Sequence, residues 1–219
     1  MLVSTRYVLS ITRNRGGDLS TGSAYGATHA TGYQRMSPTS SLTTTVLLSG
    51  GLDSSTALLM ALTRGERVGA LFVDYGQDAA SEEHAASERI ALEFGVPHAV
   101  ATVRGIDVPE GELMGRNAFF VSLALMTVNP PAAIVLGVHQ GTHYWDCSRD
   151  FLARMQALLN GYGAGAIQLM APFAALEKSA IHALAREHDF DLRLTYSCER
   201  AGGPCGECLS CKDMAKLAA

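Results

Sequence analysis

Short apolar runs alternate with amphipathic stretches from Thr43 onward. The apolar runs predict five strands, at residues 44–48, 68–73, 98–103, 132–137 and 166–170. Between these runs, apolar residues recur at spacings of three and four, as in Ala86, Ile90 and Phe94, which predicts helices. Strands that alternate with helices are typical of a parallel sheet covered on both faces. The pattern therefore predicts a doubly wound α/β domain, which binds ligands beyond the carboxyl ends of its strands.

Two glycines predict where helices end. Gly95 follows the helix that contains Ile90, and Gly161 follows the helix that contains Phe151 and Leu159. Glycine readily adopts the left-handed backbone conformation that closes many helices, so both helices are expected to stop at these positions.

The first 41 residues differ in composition from the rest of the chain. They are rich in Ser, Thr, Gly and Tyr and lack a periodic apolar pattern, so we expect residues 1–41 to be disordered or loosely attached. An over-extended gene start is a second interpretation, because Met36 lies where a compact domain can begin. Residues 42–196 then form the α/β domain, and residues 197–219 form a cysteine-rich segment.

Composition argues against two classes of function. The chain has 219 residues and a formal net charge of −4, so it has no excess of Lys and Arg to neutralise a nucleic-acid backbone. It has no apolar run of the roughly 18 residues that a membrane helix needs, and no N-terminal signal pattern. We therefore expect a cytoplasmic protein that binds small molecules and contacts neither nucleic acid nor membrane directly.

A glycine pair follows the first predicted strand, in the run Ser49-Gly50-Gly51-Leu52-Asp53-Ser54-Ser55. Glycines let the backbone approach an anion closely, and the N–H groups at the start of the following helix then face phosphate. The Gly-Lys-Ser/Thr ending of a Walker loop is absent, so the run does not indicate γ-phosphoryl transfer. The alternative is a plain strand-to-helix turn with Asp53 or Ser54 as the helix cap.

Four of the five cysteines fall within the last 22 residues, namely Cys198, Cys205, Cys208 and Cys211. Four thiolates at short spacing suit a tetrahedral Zn²⁺, and four protein ligands leave no open position for catalysis. Disulfides are disfavoured by the expected cytoplasmic location, and an iron–sulfur cluster is a further alternative. The fifth cysteine, Cys147, fits a buried small apolar residue better than a nucleophile.

The run from Ser49 to Ser55 resembles the signature of PP-loop enzymes, which activate a carbonyl oxygen as its adenylate and release pyrophosphate. Further motifs are similar, in chain order, to those of the 7-cyano-7-deazaguanine synthases of queuosine biosynthesis. They are Asp74-Tyr75-Gly76-Gln77, Gly115-Arg116-Asn117 opening a helix, Tyr144-x-Asp146-Cys147, and Pro172 with Leu176 and Lys178. The resemblance runs from Thr45 to Lys212 and implies a PP-loop fold, also called adenine nucleotide α hydrolase-like, with a C-terminal zinc knuckle.

The resemblance also implies roles for individual residues. The pyrophosphate end of ATP would contact Ser49, Gly50, Gly51, Leu52, Asp53, Ser54 and Ser55, with Mg²⁺ between Asp53 and phosphate. Lys178 would reach the phosphates and Arg116 would clamp a carboxylate or the nucleotide, so these two and Asp53 are the candidate catalytic residues. A deazaguanine substrate would contact Asp74, Tyr75, Gln77, Asn117, Tyr144 and Asp146. Without the resemblance, Lys178 fits a solvated charge equally well, and Arg116 a partner of Glu112.

The activity that the resemblance implies is the ATP-dependent conversion of 7-carboxy-7-deazaguanine and ammonia to 7-cyano-7-deazaguanine. The reaction passes through an adenylate, because a carboxylate is a poor electrophile until its charge is removed and a leaving group is attached. A homodimer is compatible with the same resemblance.

The chain departs from the family pattern in the region that would bind the substrate. Asp78 and Ala79 replace a basic residue and a histidine, and the loop before Cys147 is two residues shorter and lacks an aspartate. His139 and His143 lie in that loop, either as ordinary polar residues or as replacements for the lost contacts. Two alternatives therefore stay open: a paralogue that joins a deazaguanine carboxylate to another amine, for example in antiviral defence, and a nucleotide-binding pseudoenzyme.

Overall fold

The structure, a computed structural model, describes residues 8–14, 43–109 and 113–218. Its strands are Val8–Asn14 (β1), Thr43–Leu47 (β2), Arg67–Asp74 (β3), His98–Arg104 (β4), Ala132–Val135 (β5) and Ile167–Met170 (β6). Its α-helices are Leu52–Thr63 (α1), Ala80–Phe94 (α2), Arg116–Leu125 (α3), Arg149–Gly163 (α4), Lys178–Glu187 (α5) and Leu209–Ala218 (α6). Short 3₁₀ turns span Trp145–Cys147 and Leu192–Leu194. None of the helices in these ranges has the length and apolarity that a bilayer crossing requires.

The strands form one sheet in the order β1-β4-β3-β2-β5-β6. All neighbours from β4 to β6 pair in parallel, whereas β1 pairs antiparallel with β4. The five parallel strands are those predicted from the apolar runs, with bounds that agree to within two residues. Chain order reverses between β2 and β5, and a reversal of this kind is where doubly wound sheets bind ligands.

Apolar side chains alternate across the sheet and bury both of its faces. Val46 and Leu48 lie on one face, in a cluster with residues of α1, α2 and α5, including Leu58, Ile90 and Ile181. Leu47 lies on the other face, in a cluster with residues of α3 and α4, including Val121, Phe151 and Leu159. Each large side chain buried in this way contributes about 1.5–3 kcal/mol. The doubly wound α/β prediction is therefore confirmed.

One of the two predicted helix ends is wrong. Gly95 does close α2, with a φ of 60°, but α4 continues through Gly161 and ends where Ala164 has a φ of 49°. A Cβ at Gly161 would have no atom within 4 Å, whereas a Cβ at Gly163 would lie 2.6 Å from Cγ1 of Ile167. The packing of β6 against the end of α4 therefore requires a glycine at 163, and Gly161 is an ordinary helical residue.

Seven residues of the N-terminal segment form an edge strand. β1 pairs with β4 from Val8 opposite Arg104 to Asn14 opposite His98. For these residues the structure differs from the expected disordered or loosely attached segment. Their sequence contains the β-branched Val8, Ile11 and Thr12, which have high strand propensity, but the run is short and lies in polar surroundings. The other residues of 1–41, including Met36, lie outside the described residues.

The C-terminal segment contains a helix, α6, in addition to its cysteines. Met214 and Leu217, three residues apart on α6, pack against the core cluster that α1 and α5 share. The segment is therefore attached to the α/β domain by apolar contacts as well as by the hydrogen bonds described below.

Candidate functional site

Hydroxyl groups shape the loop between β2 and α1. Ser54 Oγ accepts a hydrogen bond from the Ser49 N–H at 3.2 Å and donates to the Gly51 carbonyl at 3.2 Å, and Ser55 Oγ donates to the same carbonyl at 2.7 Å. Gly51 is the N-cap residue of α1 and supplies no side-chain cap. Asp53 and Ser54 therefore lie inside the first helical turn, and the alternative in which one of them caps the helix is wrong.

The two glycines of the loop differ in how much room a side chain would have at each position. Gly50 has a φ of 82°, and a Cβ there would lie 2.7 Å from the Glu83 carbonyl and 2.8 Å from the Ser87 nitrogen, both in the backbone of α2. A Cβ at Gly51 would lie no closer than 3.5 Å to any atom, which is ordinary contact. Gly50 is therefore required by the packing of α2, whereas the packing around Gly51 tolerates a Cβ at the start of α1.

Asp53 and Lys178, predicted to act at the phosphates, lie side by side. Lys178 Nζ is 3.3 Å from Asp53 Oδ2, and His139 Nε2 is 3.8 Å from the same oxygen. Asp53 Oδ1 is buried and has no hydrogen-bond partner among the described residues. A buried carboxylate oxygen without a partner is unfavourable, and a hard divalent cation is a ligand that satisfies it. The donor set at Asp53 therefore fits Mg²⁺.

A cavity of about 350 Å³ lies beside this cluster, and its lining includes His139. The other lining residues are Gln140, Thr142, Cys147, Ser148, Arg149 and Ala174. Most of these side chains are polar, and the volume is in the range of small-molecule sites. His139 thus faces both Asp53 and the cavity.

Asp146 and Asn117, two of the predicted substrate residues, bind each other. The Asn117 N–H donates to Asp146 Oδ2 at 3.1 Å, and Asn117 Nδ2 donates to the Asp146 carbonyl at 3.1 Å; both side chains are buried. Asp146 therefore acts as an N-terminal cap for α3 from a distant turn. Burial, together with the Asp146 carboxylate, raises the pKa of the neighbouring Cys147 thiol to about 11, which agrees with the prediction that Cys147 is not a nucleophile.

Arg116 lies in the same region, between Tyr75 and Asp146. Burial acts to lower the pKa of Arg116, but the hydrogen bond and charge of Tyr75 and the charge of Asp146 outweigh it and raise that pKa. Tyr75 is tilted against Phe120 at 5.4 Å, and Tyr144 packs partly buried against the same core cluster. The Arg116 guanidinium is thus held by residues of the predicted site, while Glu112 lies outside the described residues.

Asp74, another of the predicted substrate residues, is bound by protein donors. Arg104 donates to both of its carboxylate oxygens, at 2.8 and 2.5 Å, and the Gly76 N–H donates at 3.1 Å. Burial acts to raise the pKa of Asp74, but these hydrogen bonds hold it below the ordinary value. Its carboxylate is therefore occupied by protein donors.

Gln77 binds a partly buried glutamate that the sequence analysis did not single out. Gln77 Nε2 donates to Glu83 Oε2 at 2.7 Å, and Gln77 Oε1 accepts from the Tyr75 N–H at 3.0 Å. Burial raises the pKa of Glu83 to about 7, despite the hydrogen bond from Gln77 and the charge of Arg116. A signal was present in the sequence, since Glu83 lies three and seven residues before Ala86 and Ile90 and so shares their buried helix face.

The four C-terminal cysteines converge, with all four Sγ atoms within 4.8 Å of one another. Backbone N–H groups of Arg200 and Cys205 donate to Cys198 Sγ, and those of Glu207 and Cys208 donate to Cys205 Sγ, each at 3.4 Å. The N–H donors of Cys208 and Glu207 lower the pKa of Cys205 to about 6. Sulfurs that accept this many hydrogen bonds are suited to thiolate charge, and the cluster fits a metal ion.

The cysteine segment is bonded directly to the phosphate loop. The Tyr196 N–H donates to the Gly50 carbonyl at 2.9 Å, and the Leu52 N–H donates to Ser197 Oγ at 3.5 Å. Leu52 itself is a core residue, 1% exposed, so its predicted role at ATP rests on its backbone alone.

Asp78 and Glu82 fasten the knuckle to the start of α2. The Ala201 N–H donates to Asp78 Oδ2 at 3.0 Å, and the Gly202 N–H donates to Glu82 Oε1 at 2.8 Å. Asp78, which departs from the family's basic residue, therefore holds the knuckle in place.

The fold matches a known class of protein. The structure aligns with the U34-tRNA thiolase NcsA from Methanococcus maripaludis with its [4Fe-4S] cluster at a TM-score of 0.51 and 16% sequence identity, covering 82% of this chain and 65% of that chain. The sheet, the helices on both faces and the Ser-Gly-Gly-Leu-Asp-Ser-Ser loop together define a PP-loop α/β protein.

Sequence comparison narrows this class to one family. The family model described as queuosine biosynthesis protein QueC matches residues 43–110 and 101–216, and the chain belongs to that family. The 7-cyano-7-deazaguanine synthase of Marinobacter nauticus is 31% identical over 195 residues, covering 75% of this chain and 88% of the relative. The 7-cyano-7-deazaguanine synthase of Synechococcus sp. is 34% identical over 205 residues, covering 78% and 89%.

Replacing Gly50 and Gly51 in turn should separate the contribution of a glycine to stability from its contribution to ligand binding. We expect Gly50→Ala to lower the free energy of unfolding by roughly 3 kcal/mol, because the new Cβ meets the α2 backbone at a left-handed φ. Gly51→Ala should change it by less than about 1 kcal/mol, yet weaken ATP binding. Urea unfolding and calorimetric titration with Mg·ATP measure the two effects, and equal stabilities of the two variants would contradict the packing argument.

Glu83 should make stability depend on pH in the neutral range. Its pKa rises from 4.5 to about 7 on folding, so its stabilising contribution is complete below pH 4.5 and is lost as the pH rises through 7. Glu83→Gln should therefore be more stable than wild type at pH 8, by on the order of 3 kcal/mol, and the difference should shrink toward pH 5.5. Urea unfolding at both pH values tests this, with Glu88→Gln on the exposed face of α2 as the control.

Proposed function

We propose that this chain catalyses the ATP-dependent conversion of 7-carboxy-7-deazaguanine and ammonia to 7-cyano-7-deazaguanine, within queuosine biosynthesis. The observation that carries the proposal is the Asp53–Lys178 pair, which joins the first turn of α1, directly after the phosphate-type loop, to the start of α5, beside a cavity of about 350 Å³. A loop of this kind binds a nucleotide, and the cavity has room for a bicyclic base.

The chemistry requires two oxygen atoms to leave the substrate, since a carboxylate becomes a nitrile. ATP activation attaches AMP to one carboxylate oxygen and releases pyrophosphate. Ammonia then displaces that oxygen as AMP and gives the amide. A second activation at the amide oxygen allows it to leave in the same way, with loss of protons from nitrogen, and gives the nitrile. Each step replaces a poor leaving group by a good one, so the protein's contribution is orientation and charge stabilisation.

Three parts of the chain are proposed to act on the phosphates. The N–H groups at the start of α1 and the Lys178 ammonium would bind the pyrophosphate oxygens, next to Gly51, which has no side chain to crowd them. Asp53 Oδ1 would hold Mg²⁺, which when bound neutralises phosphate charge. Lys178 Nζ already lies 3.3 Å from Asp53 Oδ2, so a bound phosphate would meet the ammonium and the carboxylate side by side.

The cavity and the residues near it are proposed to bind the base of the substrate. Asp146 uses Oδ2 to cap α3, so its proposed contact with the base N–H groups depends on Oδ1. Arg116, held beside Tyr75 and Asp146, would bind the carboxylate or the nucleotide through its planar guanidinium. Asn117, Tyr75, Gln77 and Tyr144 are proposed to orient the base mainly by fixing these groups, and Asp74 has the weakest support because Arg104 occupies it.

The cysteine cluster is proposed to hold one structural Zn²⁺. Tetrahedral ligation with Zn–S bonds of about 2.3 Å places sulfurs about 3.8 Å apart, and Cys205 Sγ lies 4.0 Å from Cys211 Sγ. A [4Fe–4S] cluster binds each cysteine through a separate iron and so needs more widely spaced sulfurs. Sulfurs that all lie within 4.8 Å of one another therefore favour a single ion.

Purified protein should convert 7-carboxy-7-deazaguanine to the nitrile when supplied with Mg²⁺, ATP and ammonium. Mass spectrometry of the products distinguishes nitrile, amide and adenylate, and parallel reactions with a larger amine test the acceptor. Adenylate without nitrile, or a product that contains only the larger amine, would contradict the proposal.

Two alanine variants test the assigned nucleotide site in the same assay. Asp53→Ala and Lys178→Ala should each lower turnover about 10²-fold or more, the scale of one lost electrostatic contact at a reacting centre. Lys216→Ala should leave turnover unchanged, because Lys216 is exposed on α6 and pairs only with Asp213 among the described residues. Full activity in both site variants would refute the assigned nucleotide site.

Loss of one cysteine should release the metal and disturb the phosphate loop. We expect Cys208→Ser to lose the bound Zn²⁺, to unfold at a lower temperature and to bind Mg·ATP more weakly, since Tyr196 and Ser197 tie the knuckle to Gly50 and Leu52. Elemental analysis, thermal unfolding and calorimetry measure these effects, with the exposed Glu207→Gln as the control. Iron in the wild-type protein, or a stable metal-free wild type, would overturn the assignment.

A further inference from the structure

We propose that His139 is a positioning residue of the nucleotide site, which holds the Asp53 carboxylate so that its second oxygen stays available to a phosphate-bound Mg²⁺. The inference rests on the proposed nucleotide site and deepens it. His139 Nε2 lies 3.8 Å from Asp53 Oδ2, and Lys178 Nζ lies 3.3 Å from that same oxygen. Both nitrogens thus lie beside one oxygen, Lys178 within hydrogen-bond distance of it and His139 just beyond that distance, and Oδ1 is buried without a hydrogen-bond partner among the described residues.

The orientation of the His139 ring is set by the loop that carries it. The Gly141 N–H donates to Nδ1 at 3.1 Å, so a neutral imidazole carries its hydrogen on Nε2. Nε2 lies 3.4 Å from Thr142 Oγ1 as well as facing Asp53. A Cβ at Gly141 would lie 3.2 Å from the ring, so the glycine gives the imidazole the room it occupies.

Positioning matters because an unpartnered carboxylate oxygen has a simple way to become satisfied. If the whole Asp53 side chain turned about its Cα–Cβ bond toward the Lys178 ammonium, both carboxylate oxygens and the ammonium would move away from the phosphates. A second polar group beside Oδ2 opposes this movement, since the turn would separate that group from the carboxylate too. Long contacts of this kind in a ligand-free site tighten when substrate binds.

His139 also connects the nucleotide site to the cavity, because the residue is part of the cavity lining while its Nε2 lies beside Asp53. An occupant of the cavity therefore lies next to the loop that carries the imidazole. In the proposal, the substrate and Mg·ATP are coupled through this one residue of the shortened loop.

The test is calorimetric titration of Mg·ATP into the full-length protein and its variants. We expect His139→Leu to bind Mg·ATP about tenfold more weakly, the scale of one lost polar interaction with a charged group once the site closes on its ligand. His139→Gln, which places an amide N–H near the position of Nε2, should recover most of the affinity. Titration of ATP in EDTA should show little difference between wild type and His139→Leu, because the role acts through Mg²⁺.

Two further variants control for loop disturbance. His143→Leu should bind like wild type, since His143 is exposed and has no hydrogen bond or ion pair among the described residues. Gly141→Ala should give a smaller loss than His139→Leu, because its Cβ presses on the ring without removing it. Thermal unfolding confirms that each variant is folded.

Three results would overturn the proposal: wild-type affinity in His139→Leu, an equal loss in EDTA, or ¹⁵N correlation spectra that place the hydrogen of His139 on Nδ1. The proposed function fails separately. A wild type that binds Mg·ATP with the expected dependence on His139 but makes no nitrile refutes only the reaction. A wild type that does not bind Mg·ATP overturns both.

Discussion

The hydrogen bond from the Tyr196 N–H to the Gly50 carbonyl joins the two halves of this structure. Gly50 is enclosed on its other side by the backbone of α2, which approaches too closely for any side chain at that position. The loop that follows β2 is thus fixed by the sheet, by α2 and by the cysteine segment together. An anion site made of backbone N–H groups has no side chains that can adjust, so its affinity depends on this fixed geometry.

The residues expected to bind the base serve the fold at the same time. Asp146 caps α3 through Asn117, and Gln77 joins Tyr75 to Glu83. Because these side chains form hydrogen bonds with one another, their polar groups stay satisfied in the buried region at the ends of the strands. It also means that substitutions at these positions alter shape and recognition together, which makes them poor choices for a first test of function.

Much of the fold could be predicted from the sequence, because five apolar runs and the helices between them leave few other arrangements. The closeness of Asp53 and Lys178 also follows, since both lie after parallel strands whose carboxyl ends meet at one edge. The extent of α4 beyond Gly161 depends on contacts between Gly163 and Ile167, which no local pattern records. The same holds for the pairing of β1 and for the partner of Asp78, which is 123 residues away in the chain.

These long sequence separations have a consequence for how the protein is made. The phosphate loop is synthesised well before the groups that close it, Tyr196 and Ser197. Domains generally fold as units during synthesis, and here the loop gains its contacts with Tyr196 and Ser197 only after the whole α/β sheet has been made. A polypeptide that stops before Tyr196 therefore lacks the hydrogen bonds that fix its nucleotide loop.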